Sequence, residues 1–248
     1  MKRLAGKTAI VAGASRGIGK AIALAFAAEG AQVALVARRE GSPQFPGAMQ
    51  AALAEIRGHG GAAMALGCDI ADSADVAAMT GAVLGEFGKI DILVNSAVCI
   101  NYDSLLETTD EAWDLAFDVN VKGAFNLTRA AAAAMIAAGG GHIIHLTGSG
   151  ARNVGDVNSV TGATKAALER FAKGAAEELC AHRVAVNLFD PGGVKTERSV
   201  LKRGEDFDWS RFAAPADVAP AVVHLALQTA ASMTGQIFCY RDYVGARS

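Results

Sequence analysis

The 248-residue chain lacks the features that usually mark a metal site, a disulfide framework, a membrane span or a nucleic-acid partner. Its four cysteines are scattered and form no Cys-x-x-Cys pair, and its five histidines share no metal-ligand spacing. No run of about 18 apolar residues is present, and the formal net charge is only −2. We therefore expect no bound metal, no membrane partner and no nucleic acid.

The amino-terminal segment has no apolar region of signal-peptide length, because the turn residues from Gly13 onward interrupt its first apolar run. Scattered, unpaired cysteines suit a reducing compartment. These two observations predict a cytoplasmic protein. Hydrophobic residues make up 52% of the chain, which is enough to build a large core.

Short apolar runs alternate with longer amphipathic or alanine-rich patterns from end to end. The runs predict seven strands: Thr8–Ala12, Gln32–Ala37, Ala62–Leu66, Ile92–Val94, His142–Thr147, Arg183–Leu188 and Gln236–Tyr240. The longer patterns predict helices over Gly17–Glu29, Met49–Arg57, Ser73–Phe87, Asp110–Ala138, Val157–Ala181 and Ala216–Leu227. Continuous Val, Ile, Leu and Ala strands suit a parallel sheet covered on both faces. The sequence therefore predicts one α/β domain over residues 1–248, a doubly wound, seven-stranded, Rossmann-like parallel sheet.

Two segments interrupt this regularity. Residues 41–47 are rich in proline and glycine and predict a loop after the second strand. The segment Glu197–Phe212 follows the sixth strand and mixes charged residues with Phe207, Trp209 and Phe212.

Three glycines follow the first strand at positions 13, 17 and 19 and open the first helix. Glycine permits a tight turn and a close backbone approach to a pyrophosphate, and the helix amino terminus adds free N–H groups and a positive dipole end. The spacing Gly-x-x-x-Gly-x-Gly differs from the commoner Gly-x-Gly-x-x-Gly loop. We interpret it as a dinucleotide-binding loop.

Further motifs follow in a recognisable order. They are Asp69, Asn95-Ser-Ala97, Asn120, Lys165 and Pro191-Gly-Gly-Val-Lys-Thr196. With the glycine loop, they resemble the short-chain dehydrogenase/reductase family along essentially the whole chain. The resemblance implies cofactor contacts from Gly13, Ser15, Arg16, Gly17, Ile18, Gly19, Arg38, Arg39, Asp69, Ile70, Asn95, Ala97, Lys165, Pro191, Gly192, Val194 and Thr196. It also implies a substrate lid over residues 197–213, for which an ordinary surface segment is the alternative.

The choice of dinucleotide rests on charge. An NAD site usually places an acid at the end of the second strand, where it binds the ribose 2′-hydroxyl. Here Arg38 and Arg39 follow that strand, and Arg16 in the glycine loop faces the same ribose. Guanidinium groups suit a 2′-phosphate. We therefore expect NADP(H).

The reaction centre departs from the family pattern. The family that this chain resembles transfers protons with a serine, a tyrosine and a lysine, and an asparagine supports the lysine through a water molecule. Asn120 and Lys165 match the asparagine and the lysine, but Thr161 stands in place of the tyrosine. The serine position falls on Gly148, so Ser149 and Thr147 are the hydroxyls nearest to that role.

Several groups are candidates for the missing proton donor. They are Tyr102 after the fourth strand, Asp156 and Asn158 before the helix of Lys165, Asp190 before Pro191, and a water polarised by Lys165. Asp156 and Asp190 are equally suited to cap a helix or a turn. The family lysine that Lys165 matches also binds the nicotinamide ribose, so cofactor binding is an alternative role for Lys165.

Three functions remain open at this point. The first is an NADP(H)-dependent oxidoreductase acting on a small carbonyl, alcohol or imine substrate with an atypical active site. The second is a catalytically inactive NADP(H)-binding protein or partner subunit. The third is a non-redox lyase or cyclase that uses the same pocket. The resemblance further implies a homotetramer or a dimer paired through the helices over Asp110–Ala138 and Val157–Ala181.

Overall fold

The computed structural model describes residues 2–39, 44–154 and 158–245. Its strands are β1 (Thr8–Ala12), β2 (Gln32–Ala37), β3 (Ala63–Gly67), β4 (Ile92–Asn95), β5 (Gly141–Leu146), β6 (Val184–Asp190) and β7 (Ile237–Cys239). Its helices are α1 (Gly17–Ala28), α2 (Ala48–Gly58), α3 (Ser73–Phe87), α4 (Asp110–Phe117), α5 (Gly123–Ala138), α6 (Ser159–Cys180), α7 (Glu197–Arg203), α8 (Pro215–Ala226) and α9 (Tyr240–Gly245).

The strands form one sheet in the order β3-β2-β1-β4-β5-β6-β7, and every neighbouring pair is parallel. The order reverses between β1 and β4, which creates a crevice at their carboxyl ends. The predicted α/β class, the parallel sheet and its seven strands are confirmed, with strand ends shifted by a residue or two. The crevice places the residues that follow β1 and β4 beside each other.

The core has two halves because successive side chains of a strand point to opposite faces. Val11, Leu35 and Val94 face α1, α2 and α8, and they pack into one apolar cluster. Ile10 and Leu93 belong to a second cluster, which α3, α5 and α6 cover. The sheet is thus buried on both faces, as its unbroken apolar strands predict.

The prediction of one helix over Asp110–Ala138 was wrong. A π-helical turn at Asp118–Lys122 separates α4 from α5, and the Gly123 N–H bonds the Asp118 carbonyl five residues back. The extra residue lets the buried Asn120 side chain reach the loop after β4. Apolar periodicity does not register one inserted residue, and π turns often mark functional sites.

Two irregular segments lie only partly within the described residues. Of the loop predicted over residues 41–47, the structure describes 44–47, which are not helical and lead into α2. Asp156 lies outside the described residues. The predicted lid begins with α7 and continues to a contact among Phe207, Trp209 and Phe212. Within the described ranges, no helix is long and apolar enough to cross a membrane.

Candidate functional site

The glycine loop closes tightly, and two of its three glycines, Gly13 and Gly19, have no space for a side chain. Gly13 has φ +82°, and a Cβ there would lie 2.7 Å from the backbone nitrogen of Ala97. A Cβ on Gly19 would lie 2.2 Å from the Gly13 carbonyl oxygen. Gly17, with φ +56°, begins α1 and leaves its amino terminus open. The sequence thus builds a cradle that exposes backbone N–H groups to an anion.

A cleft of about 360 Å³ lies above this loop, at the carboxyl ends of the central strands. The predicted cofactor residues that line it are Gly13, Ser15, Arg16, Gly17, Ile18, Arg38, Asp69, Ile70, Ala97 and Thr196. Sequence reasoning missed several other lining residues, among them Ser96, Val98, Cys99, Ile100, Leu115, Val119, Glu197 and Arg198. The predicted residues Gly19, Arg39, Asn95, Lys165, Pro191, Gly192 and Val194 do not line this cleft.

Arg16 is the most unusual side chain of the cleft. Its guanidinium carbon lies 4.4 Å from the centre of the Phe45 ring. Its buried Nη1 atom has no hydrogen-bond partner in the described part of the chain. Burial lowers the pKa of Arg16, the nearby Arg198 and Arg38 lower it further, and Glu197 opposes them. A buried donor without an acceptor is costly, and an anionic ligand supplies one.

Arg38 and Arg39 separate at the end of β2. Arg38 lines the cleft. Arg39 turns away and forms an ion pair with Asp75 of α3, in which Nη1 lies 2.6 Å from Oδ2. Of the three arginines predicted to bind a 2′-phosphate, Arg16 and Arg38 therefore line the cleft and Arg39 does not. Arg39 instead helps to hold the end of β2 against α3.

Two further predicted residues shape the cleft from the ends of β3 and β4. Asp69 lines it and accepts a hydrogen bond from the Ala71 N–H at 3.0 Å. The Asn95 side-chain oxygen Oδ1 accepts from the Ala97 N–H at 3.2 Å, and the side-chain amide nitrogen lies 3.4 Å from Nδ1 of the buried His145. Asn95 thus positions the backbone of Ala97, which lines the cleft. Because of complete burial, with Lys165 adding to the effect, the pKa of His145 falls to about 3.

Lys165 lies beside the sheet at the carboxyl end of β5. Its Nζ donates to the Leu146 carbonyl oxygen at 2.8 Å. Burial lowers the pKa of Lys165 to about 8, while Asp190 and Glu169 act in the opposite direction. Its ammonium group can therefore release a proton near neutral pH. Asn120, from the π turn, does not contact Lys165 directly and instead binds both backbone groups of Cys99, at 2.8 and 2.7 Å.

Thr161 is buried and its hydroxyl is engaged. It accepts from the Asn101 N–H and donates to the Asn101 carbonyl oxygen, both at 3.2 Å. Asn158 caps the same helix by accepting from the Thr161 N–H, and its amide donates to the Asn101 side-chain oxygen at 2.8 Å. The two residues therefore fasten the loop after β4 onto α6. A short hydroxyl suits this role, because a phenol would displace the Asn101 backbone.

A charge network lies where β5 and β6 end, and sequence reasoning did not predict it; its carboxylates, on Glu169 and Asp190, are buried, whereas Arg152 is exposed. Arg152 donates to Glu169 at 2.8 Å and also pairs with Asp190. The Thr147 hydroxyl donates to Glu169 at 2.7 Å, and Asp190 accepts from the Gly192 N–H at 3.0 Å. Both Asp190 oxygens are thus engaged. The sequence signal for Glu169 is its spacing, four residues after Lys165, which places both side chains on one face of α6.

A second cleft, of about 660 Å³, lies over this network. Ser149, Pro191 and Gly192 line it together with Tyr240, a residue that sequence reasoning left unassigned. Tyr102 lines neither cleft. It is exposed and instead contacts α7, with Lys202 Nζ 4.7 Å from its ring centre.

Comparison with known proteins gives a consistent result. Residues 7–205 match the family model described as short chain dehydrogenase. The chain is 36% identical over 242 residues to D-threitol dehydrogenase of Mycolicibacterium smegmatis, covering 94% of this chain and 90% of that protein. It is 34% identical over 239 residues to a 3-oxoacyl-(acyl-carrier-protein) reductase of Staphylococcus aureus, covering 93% and 94%.

Solved structures share the same fold. A short-chain type dehydrogenase/reductase from Mycobacterium marinum superposes with a TM-score of 0.84 at 34% identity, covering 95% of this chain and 94% of that one. A short chain dehydrogenase from Burkholderia cenocepacia, solved in complex with NADP, has a TM-score of 0.83 at 31% identity and covers 96% and 97%.

Proposed function

The chain belongs to the short-chain dehydrogenase/reductase family, and on that premise we propose that it is an NADP(H)-dependent oxidoreductase. Its substrate is a small carbonyl compound or the corresponding alcohol, or else an imine. It works without the family's tyrosine, because Thr161 occupies that position and binds the Asn101 backbone.

The unpartnered Nη1 atom of Arg16 carries the proposal for the cofactor. It lies in a cleft that Arg38 also lines, beside a loop in which Gly13 and Gly19 have no space for a Cβ atom. An anion at this position satisfies the orphan donor and the two positive charges. Paired guanidinium groups favour a 2′-phosphate over a 2′-hydroxyl. These observations fit NADP(H) better than NAD(H).

Lys165 is the proposed source of the proton. The nicotinamide of a bound cofactor supplies the hydride chemistry. With a pKa of about 8, Lys165 Nζ holds a proton at neutral pH and releases it readily. We propose that it protonates the substrate oxygen directly or through one water, with Ser149 as a substrate contact. Correct orientation of the reactants supplies the rest of the rate.

The test is turnover with NADPH across a panel of aldehydes, ketones, diketones and cyclic imines. We expect oxidation of NADPH with at least one class and a loss of turnover in Lys165→Met. Lys173→Met, which alters an exposed lysine of the same helix, is the matched control and leaves turnover unchanged. Turnover that survives Lys165→Met would contradict the assigned proton source.

A second candidate function is a binding-only NADP(H) protein, such as a sensor or a partner subunit. The observation that favours it is that two polar groups near the reaction centre already have hydrogen-bond partners within the protein. Thr161 binds Asn101, and the Asp190 carboxylate is held by Arg152 and Gly192. Tight NADPH binding combined with no turnover on any class of the panel would select this function.

A further inference from the structure

Arg198 reaches from α7 across the mouth of the first cleft. Its Nη1 lies 3.4 Å from the Val98 carbonyl oxygen and its Nη2 lies 3.3 Å from that of Ile100. Its guanidinium carbon is 5.6 Å from the centre of the Tyr102 ring. The two hydrogen bonds are long and lead to neutral acceptors, so they hold the guanidinium group only weakly.

The first turn of α7 also contacts the glycine loop. A Cβ placed on Gly17 would lie 3.4 Å from Thr196 Cγ2 and 3.6 Å from the carboxylate oxygen of Glu197. Gly17 begins α1, and the amino terminus of that helix is where the fold receives a diphosphate. The start of α7 therefore lies over the same anion position as Arg198.

The charges of the cleft are unbalanced around Arg198. Burial is the main cause that lowers the pKa of Arg16, and the positive charge of Arg198 is the second. Burial raises the pKa of Cys99, and Arg198 is the strongest of the charges that oppose this rise. Among the described residues, Arg16 and Arg198 form no ion pair. Three guanidinium groups, those of Arg16, Arg38 and Arg198, thus line one cleft, against the two carboxylates of Asp69 and Glu197. Such a cleft favours a ligand that carries more than one negative charge.

We propose that Arg198 binds the diphosphate of the dinucleotide and thereby links α7 to the bound cofactor. This inference rests on the proposed function, since it requires that the chain binds a dinucleotide. The guanidinium group exchanges the carbonyl oxygens of Val98 and Ile100 for charged phosphate oxygens. These charge-assisted bonds are roughly twice as strong as neutral ones.

The position of Arg198 assigns it to the diphosphate and not to the 2′-phosphate. Val98 and Ile100 follow β4, so Arg198 lies at the crevice between β1 and β4, next to the start of α1. Arg38 follows β2, and the adenosine ribose lies near the carboxyl end of that strand in this fold. The diphosphate and the 2′-phosphate of the ligand therefore meet different arginines.

Calorimetric titration with ligand fragments tests this division. ADP-ribose carries the diphosphate but no 2′-phosphate, whereas 2′-AMP carries the 2′-phosphate but no diphosphate. We expect Arg198→Met to weaken NADPH and ADP-ribose by about tenfold or more, because a charge-assisted contact is lost. Binding of 2′-AMP stays within about twofold of the wild type. The charge-retaining Arg198→Lys recovers part of the loss for ADP-ribose.

Arg203→Met is the matched control. Arg203 lies on the same helix, but its guanidinium group stacks 4.7 Å from the Phe207 ring and does not line the cleft. Arg203→Met should leave the affinities for NADPH, ADP-ribose and 2′-AMP unchanged. The midpoint of thermal unfolding, measured for each variant, checks that the variant is folded.

Unchanged binding of ADP-ribose by Arg198→Met overturns the inference and leaves the proposed function intact. An equal loss for 2′-AMP also overturns it, because Arg198 would then act through the shape of the whole cleft. A wild-type protein that binds neither NADPH nor NADH overturns both the inference and the proposed function.

Discussion

Returning a phenol to position 161 tests whether a lost proton donor is the principal change in this active site. The variant combines Thr161→Tyr with Gly148→Ser, which restores both missing members of the family's catalytic set. Position 148 accepts a serine without strain, because its backbone is extended, with φ −176°, and a Cβ there has no atom within 4 Å. Position 161 is more demanding, since its side chain is only 2% exposed.

The double variant should change both the stability and the rate of reduction, and the contacts of Thr161 determine the change in stability. Removing its hydroxyl breaks two hydrogen bonds to Asn101, and the added ring overpacks the loop after β4. Overpacking of a core position costs about 1–3 kcal/mol, so we expect the free energy of unfolding to fall by that amount. A positioned general acid contributes about 10²–10⁴-fold to the rate. We therefore expect a less stable protein with clearly higher carbonyl reductase activity.

The assay compares steady-state reduction of a reactive diketone with NADPH, alongside urea unfolding. Thr161→Phe with Gly148→Ser is the control, because it adds the same ring without the hydroxyl. The Tyr variant should exceed the Phe variant by at least about a hundredfold, at similar stability. If both variants fold and bind NADPH but reduce the diketone equally slowly, the loop after β4 has closed the pocket, and the reasoning fails.

Three further predictions concern protons and assembly. Reduction should decline above about pH 8 as Lys165 loses its proton, and a pH–rate profile of Lys165→Met should lack that limb. Because the pKa of buried His145 is lowered to about 3, stability should fall as pH drops below about 6.5, by up to about 1.4 kcal/mol per unit. Urea unfolding at several pH values should show a weaker dependence of stability on pH for His145→Gln than for the wild type. The control His182→Gln, which alters an exposed histidine, should keep the wild-type pH dependence. Light scattering should show a tetramer or dimer, since α4 and α5 expose Trp113 and Phe125, and a monomer contradicts this.

The fold was predictable because its signals are local and repeated. Each strand is an apolar run, and Gly13 and Gly19 have no space for a Cβ atom, so the parallel sheet and the turn after β1 follow from the sequence. The π turn at Asp118–Lys122 was not predictable. One extra residue changes the direction of Asn120 without changing the helical pattern on either side.

Side-chain direction limited the prediction of the site. Adjacent Arg38 and Arg39 look equivalent in the sequence, yet Asp75 draws one of them out of the cleft. Arg198 lies 100 residues after Val98 and contacts it only because the start of α7 lies against the loop after β4. The role of Thr161 likewise depends on a partner 60 residues away. Such long-range pairings carry no periodic signal.

The central claim is that Arg16 and Arg38 select a 2′-phosphate, and calorimetric titration of the wild-type protein with NADPH and NADH tests it most directly. We predict that NADPH binds at least tenfold more tightly, a difference of about 1.4 kcal/mol, which is modest for charge-assisted contacts. Arg16→Met should remove most of that preference. Equal affinities in the wild type, or tighter binding of NADH, would contradict the claim.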